Sequence, residues 1–144
     1  MRLQLVTTER LLLDTDVEEV YAPGVLGEFG VLPLHVNFLT ALGTGELRFR
    51  KDGVDRWVAV SGGILEVLDD VVTVLADTAE FADEIDVARA KAAEERVRHA
   101  LGRTAPDSPE IADLQSALSR ALNRQMVAAR GAAASAGRPS GPIR

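Results

Sequence analysis

Ala76-Asp77-Thr78-Ala79-Glu80-Phe81-Ala82-Asp83-Glu84-Ile85-Asp86-Val87-Ala88-Arg89-Ala90 is where the sequence changes its period. Before it, Val71-Val72-Thr73-Val74-Leu75 closes a series of short segments rich in Val, Leu and Gly. After it, Ile85, Ala88 and Ala92, and then Ala90, Ala93, Val97 and Leu101, return at helical spacing. The first pattern is that of strands and the second that of an amphipathic helix. A sheet body therefore precedes a helical appendage, and the two join at one point.

Working back from that junction, turn signals divide the first half into strands. Leu3 and Leu5 alternate with polar neighbours, Arg10 to Asp14 reads as a second strand, and Val17 to Ala22 as a third ended by Pro23-Gly24. Gly27 and Gly30 flank Glu28-Phe29, so the chain can turn sharply there, and Pro33 interrupts pairing. Asn37 to Leu42 resumes the apolar run. Glu46 to Arg50 and Arg56 to Val60 flank the hairpin signal Asp52-Gly53, with Leu47 and Phe49 inward. Ser61-Gly62-Gly63 predicts another reversal, and Ile64 to Val67 and Val71 to Leu75 a hairpin around Leu68-Asp69-Asp70. Many short strands punctuated by turns predict a β-sandwich or barrel rather than a parallel sheet.

Working forward, acids at Asp83-Glu84 favour a helix start and Gly102 a stop. Ser108 and Pro109 suit the cap and first residue of a second helix, whose stripe would be Ile111, Leu114, Leu118, Leu122 and Met126. The short loop between them predicts an antiparallel hairpin. The expected organisation is a β-sandwich over residues 1–84, a helix-loop-helix over 85–130 and a disordered tail over 131–144.

The chain has 144 residues, 47% hydrophobic but only 4% aromatic, so its core must be mostly aliphatic. No cysteine is present, which excludes disulfides, a thiolate nucleophile and sulfur-bound metal. No apolar run is long enough to cross a bilayer, and the first residues do not begin a signal peptide, so a soluble cytoplasmic protein is expected. The net charge of −6 disfavours nucleic acid. From Leu114 onward there is no acid, only Arg120, Arg124, Arg130, Arg138 and Arg144. That segment suits an acidic protein surface, or else is simply a solvated basic end.

No hydrolytic or phosphate-loop motif is visible, and His35 and His99 lie in different halves. Asp69-Asp70 reads as a solvated turn, and no metal-ligating set is expected. Asp86, Arg89 and Arg96 fall on one side of the first helix, and Arg120 and Arg124 on one side of the second. Packed as a hairpin, the helices could bring several guanidiniums together around an anion. The plainer alternative pairs these arginines with Glu80, Glu84, Glu94 and Glu95 in solvent.

Three stretches together resemble the epsilon subunit family of the bacterial and chloroplast F-type ATP synthase. Gly27-Glu28-Phe29-Gly30-Val31-Leu32-Pro33-Leu34-His35 is similar to that family's Gly-Glu-[Phe/Leu]-Gly-[Val/Ile]-Leu-Pro-Gly-His loop, with Leu34 in place of the usual glycine. Ser61-Gly62-Gly63-Ile64-Leu65-Glu66-Val67, followed by Val72 to Asp77, is similar to a second signature. Ile85-Asp86-Val87-Ala88-Arg89-Ala90 resembles [Ile/Leu]-Asp-x-x-Arg-Ala. All three stand in the family's order, over roughly residues 1–130.

The resemblance implies an all-β sandwich of about ten strands followed by a C-terminal antiparallel two-helix hairpin. It implies a non-catalytic rotor subunit, peripheral on the cytoplasmic face of the bacterial plasma membrane, with no membrane insertion and no required cofactor. Its partners would be the gamma subunit on a face of the sandwich and the c-ring at Glu28, Phe29, Gly30 and His35. The hairpin would move between a folded and an extended pose, the latter bringing Arg120, Arg124 and Arg130 to the beta subunit within the alpha-beta hexamer and blocking ATP hydrolysis. ATP as a regulatory ligand of the folded hairpin would be held by Glu80, Ile85, Asp86, Arg89, Ala90, Arg96, Arg120 and Arg124. The rival expectation is a free-standing β-sandwich ligand-binding module with a helical dimerisation hairpin. It accounts for the fold but not for three ordered motifs.

Overall fold

The computed structural model describes residues 1–136. Its strands are β1 (Arg2–Val6), β2 (Leu11–Asp16), β3 (Glu19–Gly24), β4 (Gly27–Val31), β5 (Phe38–Ala41), β6 (Thr44–Lys51), β7 (Val54–Leu68) and β8 (Val71–Phe81). A 3-10 turn, Ala82–Glu84, leads to α1 (Val87–Arg103) and α2 (Ile111–Ser135). The ladder runs β2-β1-β8-β7-β6-β3-β4, with β5 also on β7.

Bent strands explain how one ladder makes two layers. β5 and β6 pair with β7 in the same register, Phe38 opposite Val67 and Thr44 opposite Ser61, with only Leu42-Gly43 between them. β7 and β8 keep one register from Val58–Phe81 to Leu68–Val71. The reversal predicted at Ser61-Gly62-Gly63 is therefore not there; the strand runs straight through those residues and bends. Gly62 and Gly63 have φ of +69° and +109°, and a Cβ on Gly63 would lie 2.0 Å from the Leu75 carbonyl oxygen. Glycine alone permits that kink while pairing continues on both sides. Counting the halves of β7 and β8 separately turns eight strands into the expected ten segments.

The inward residues alternate as the pleat requires. Leu3, Leu5, Val20, Leu47, Phe49, Val58, Leu65, Val67, Val72 and Val74 are at most 1% exposed. Each contributes roughly 2 kcal/mol of hydrophobic stabilisation, so aliphatic residues suffice without many aromatics. On the outer face, Arg48 and Arg50 pair with Glu19 and Asp55, and Arg48 lies 4.4 Å over the Tyr21 ring. The hydrogen bond from Arg50 holds the Asp55 carboxyl below its ordinary pKa.

The helical boundaries differ from expectation at four points. Asp83 and Glu84 belong to the 3-10 turn, and Asp86 is the N-cap of α1, accepting from the Arg89 amide at 3.1 Å. Gly102 does not stop α1, which ends at Arg103 with Thr104 as its C-cap, the Thr104 hydroxyl donating to Ala100 O at 2.6 Å. Ser108 accepts from the Glu110 amide and closes a turn ahead of α2 rather than capping it. Finally, α2 continues to Ser135 where a tail is expected from 131. Ala132-Ala133-Ala134 favour helix, and Gly131 lets it pass Ala82, where a Cβ would come within 2.5 Å. The rest of the expected tail, 137–144, lies outside the described residues.

Candidate functional site

Helix α2 crosses the outer face of β6, β7 and β8 along one lateral row. Glu46 is opposite Ala59, and Ala59 is opposite Glu80. Above that row lie Arg130, Val127 and Arg124. Arg130 Nε is 3.1 Å from Glu46, and Val127 packs with Ala59 and Ile85. Arg124 grips Glu80 through Nε at 2.7 Å and Nη2 at 3.2 Å. The spacings match: two strand intervals span about 10 Å, and six helical residues rise about 9 Å. Asn123 adds a hydrogen bond to Gly45 O at 2.9 Å.

This geometry corrects two sequence readings. Arg124 and Arg130 are compensated by acids of the sheet: Arg124 takes Glu80, as the plainer alternative allowed, and Arg130 takes Glu46, which it did not name. The deeply buried residues of α2 are Ala121 and Val127, whereas Leu122 and Met126 of the expected stripe are 36% and 55% exposed. Small side chains win at that face because the helix lies close on the sheet. Glu46 is not among the expected site residues, although its alternation with inward Leu47 and Phe49 turns it outward. The helices are tied together by Gln125, donating to Glu94 at 2.8 Å; that bond and the one from Arg98 keep the Glu94 carboxyl below its ordinary pKa.

Between the hairpin and the sheet is a groove of about 440 Å³ lined by Glu80, Arg96, Arg120 and Arg124, with Thr44 and Ser61 at its sheet side. The remaining expected ATP residues lie elsewhere. Ile85 is 8% exposed in the Ala59–Val127 cluster, Ala90 is fully buried, Asp86 caps α1 and Arg89 is exposed outside the groove. Thus the Ile85–Ala90 motif builds the junction between sheet and hairpin, and Arg96, Arg120 and Arg124 line the cleft.

The expected ring-contact residues fall around the β4–β5 loop. Phe29 and Phe38 meet edge-to-face with centroids 5.4 Å apart, and His35 joins Phe38 at 5.9 Å. Glu28 is exposed on β4. Gly30 serves packing: a Cβ there would lie 2.7 Å from the Tyr21 ring. Sequence reasoning missed a further surface on the other layer. Leu11, Val6, Leu75, Ile64 and Ala41 are successive lateral neighbours across β2, β1, β8, β7 and β5. Leu11, Leu75 and Ile64 are 56%, 45% and 42% exposed, so this apolar row faces outward. The next row is polar from Asp14 through Gln4 and Thr73 to Glu66, and ends on β5 with Leu39, 64% exposed. Among the described residues no helix is long and apolar enough to cross a membrane.

Comparison with known proteins agrees with these features. Residues 1–82 match the family described as ATP synthase delta/epsilon chain, β-sandwich domain, and residues 83–128 match its long α-helix domain. The ATP synthase epsilon chain of Geotalea uraniireducens is 48% identical over 132 residues, 92% of this chain and 96% of that one. That of Syntrophobacter fumaroxidans is 51% identical over 128 residues, 89% and 95% of the two chains. A chain in the Euglena gracilis mitochondrial ATP synthase structure superposes with a TM-score of 0.69 at 26% identity, covering 89% of this chain and 79% of that one. A chain in the Tetrahymena thermophila central stalk and c-ring structure shares the fold at a TM-score of 0.58, with 14% identity, covering 89% and 96%. With both domains matched in order and relatives near half identity over almost the whole length, the chain belongs to the epsilon-chain family of ATP synthase.

Proposed function

We propose that this chain is a non-catalytic rotor subunit, coupling ion flow through the c-ring to ATP synthesis at the cytoplasmic face of the bacterial plasma membrane. The apolar row Leu11–Val6–Leu75–Ile64–Ala41 carries this reading. It is an outward sheet surface that the hairpin, seated on β6 to β8, leaves open for the gamma subunit. Glu28, Phe29 and His35, with Gly30 as their packing support, are the proposed ring end. The hairpin is a brake: released from Glu46 and Glu80, it presents Arg120, Arg124 and Arg130 to the beta subunit inside the alpha-beta hexamer. Reconstituted complexes with the full chain, or with a chain ended after residue 84, test the proposal. The shortened chain is expected to retain gamma and raise ATP hydrolysis severalfold; unchanged hydrolysis would remove the brake, and lost gamma binding by both chains the stalk assignment.

ATP is the proposed ligand of the groove, in the pose with the hairpin down. Arg96, Arg120 and Arg124 supply cations for the phosphates. Glu80 opposes them, so Arg124 must leave Glu80 as the nucleotide enters. A ligand at a hundred times its Kd stabilises the state that it binds by about 2.7 kcal/mol, enough to reset a hairpin equilibrium. Equilibrium dialysis at millimolar ATP should detect binding, and Arg120→Ala should weaken it about tenfold. Arg89→Ala, outside the groove, should have a much smaller effect. No binding by the native chain at that concentration would refute the ligand.

A further inference from the structure

Leu34 has φ of +66°, a left-handed conformation costing a non-glycine residue about 1–2 kcal/mol. Its side chain is 86% exposed, so packing within the chain does not offset that cost. Two bonds from a distant turn do. The Leu34 amide donates to Asp70 Oδ1 at 2.9 Å, and the Asp69 amide donates to Asn37 Oδ1 at 3.0 Å. Each loop therefore lends a carboxylate or carboxamide oxygen to a backbone amide of the other. Asp69 and Asp70 themselves have φ of +49° and +64°, the pairing that a two-residue hairpin turn between β7 and β8 requires. The hydrogen bond from Leu34 also keeps the Asp70 carboxyl below its ordinary pKa, and its Oδ2 faces the Met1 ammonium at 3.5 Å.

This clasp displays apolar groups instead of burying them. Leu32, Leu34 and Val36 on one loop and Leu68 beside the other are 54%, 86%, 75% and 48% exposed. A single exposed leucine is ordinary, but four exposed apolar side chains gathered at one clasp mark an interaction surface. We propose that Asp70 and Asn37 are positioning residues that fix the 32–38 loop to the β7–β8 turn and hold Leu34 out as a contact for the rotor ring. The inference rests on the stalk reading above and adds to it a second loop and an apolar tip.

Four variants separate the parts: Asp70→Ala, Asp70→Asn, Leu34→Gly and the double variant Asp70→Ala with Leu34→Gly. In the isolated full chain, Asp70→Ala should speed hydrogen exchange of the Leu34 amide roughly tenfold, while Asp70→Asn, which keeps an acceptor oxygen, should hold it near native. Leu34→Gly should restore to Asp70→Ala the melting temperature that it loses, because glycine adopts this φ without strain. In the assembled complex, Asp70→Ala should lower ion-driven ATP synthesis severalfold and Asp70→Asn should rescue it. Leu34→Gly should lower synthesis with the loop still folded. Native exchange at Leu34 in Asp70→Ala would overturn the clasp. Faster exchange with full synthesis would overturn the positioning role and leave the stalk reading intact. Failure of the native chain to bind gamma would remove the stalk reading, with the exchange results still deciding the clasp.

Discussion

Replacing Ile64 with glutamate is expected to lower affinity for the gamma subunit about a hundredfold while leaving the fold nearly as stable. Ile64 is the hinge of the outward apolar row, with Leu75 on one side and Ala41 on the other. In the free chain its side chain is already 42% exposed, so a carboxylate there reaches water at little cost. Under a docked partner the same carboxylate loses its water and gains no cation, which costs several kcal/mol. About 3 kcal/mol corresponds to the hundredfold loss. Thr73→Glu, in the neighbouring polar row, is the control and should reduce affinity much less. Titration of labelled chain with gamma, beside thermal melts, reads both quantities. Unchanged gamma affinity in Ile64→Glu would move the docking surface elsewhere. Were the native chain instead a tight homodimer that this substitution split, the face would belong to the rival dimerisation module.

Most of the sheet could be read from alternation and turn chemistry, because burial acts on each strand locally. Asp52-Gly53 and Asp69-Asp70 are turns for the same reason, a positive φ that Asp and Gly tolerate. Gly62-Gly63 misled because a bend and a reversal ask the same of the backbone; only the pairing of β7 with β6 and β8 distinguishes them. The helices illustrate a second limit. Periodicity picks out the bulkiest apolar residues, yet the inward face of α2 is Ala121 and Val127, with Gly131 against the 3-10 turn at Ala82, and there closeness matters more than size. The site was legible as a set of arginines with Glu80 among their possible partners, but the Arg130–Glu46 pair was not. Glu46 and Arg130 are 84 positions apart, and only lateral register across three strands brings Glu46 into line with Glu80. Likewise, a leucine in a glycine position gives no hint that Asp70, 36 residues away, supports it.

Reversing both acids of that row, Glu46→Lys together with Glu80→Lys, is expected to free the hairpin. Arg124 and Glu80 are 28% and 35% exposed, and Arg130 and Glu46 are 56% and 22% exposed, so solvent screens both pairs. Each is worth roughly 0.5–1 kcal/mol, and the new like-charge contacts add repulsion of similar size. A total near 2 kcal/mol shifts the balance between docked and released poses about thirtyfold. Adding Val127→Ala, which strips the apolar contact over Ala59, contributes about 1–2 kcal/mol more. Trp57 is the single tryptophan and packs against this cluster, so its emission should shift red as the helix lifts. The same shift should grow with salt in the native chain, since exposed pairs weaken with ionic strength. Exchanging charges within one pair, Glu80→Arg with Arg124→Glu, should restore native emission where Glu80→Arg alone does not. If the hairpin is the proposed brake, the reversed chain in the assembled complex should hydrolyse ATP more slowly, because a hairpin freed from the sheet would be available to the hexamer. Reversed acids with native emission and native hydrolysis would mean that the row does not latch the hairpin.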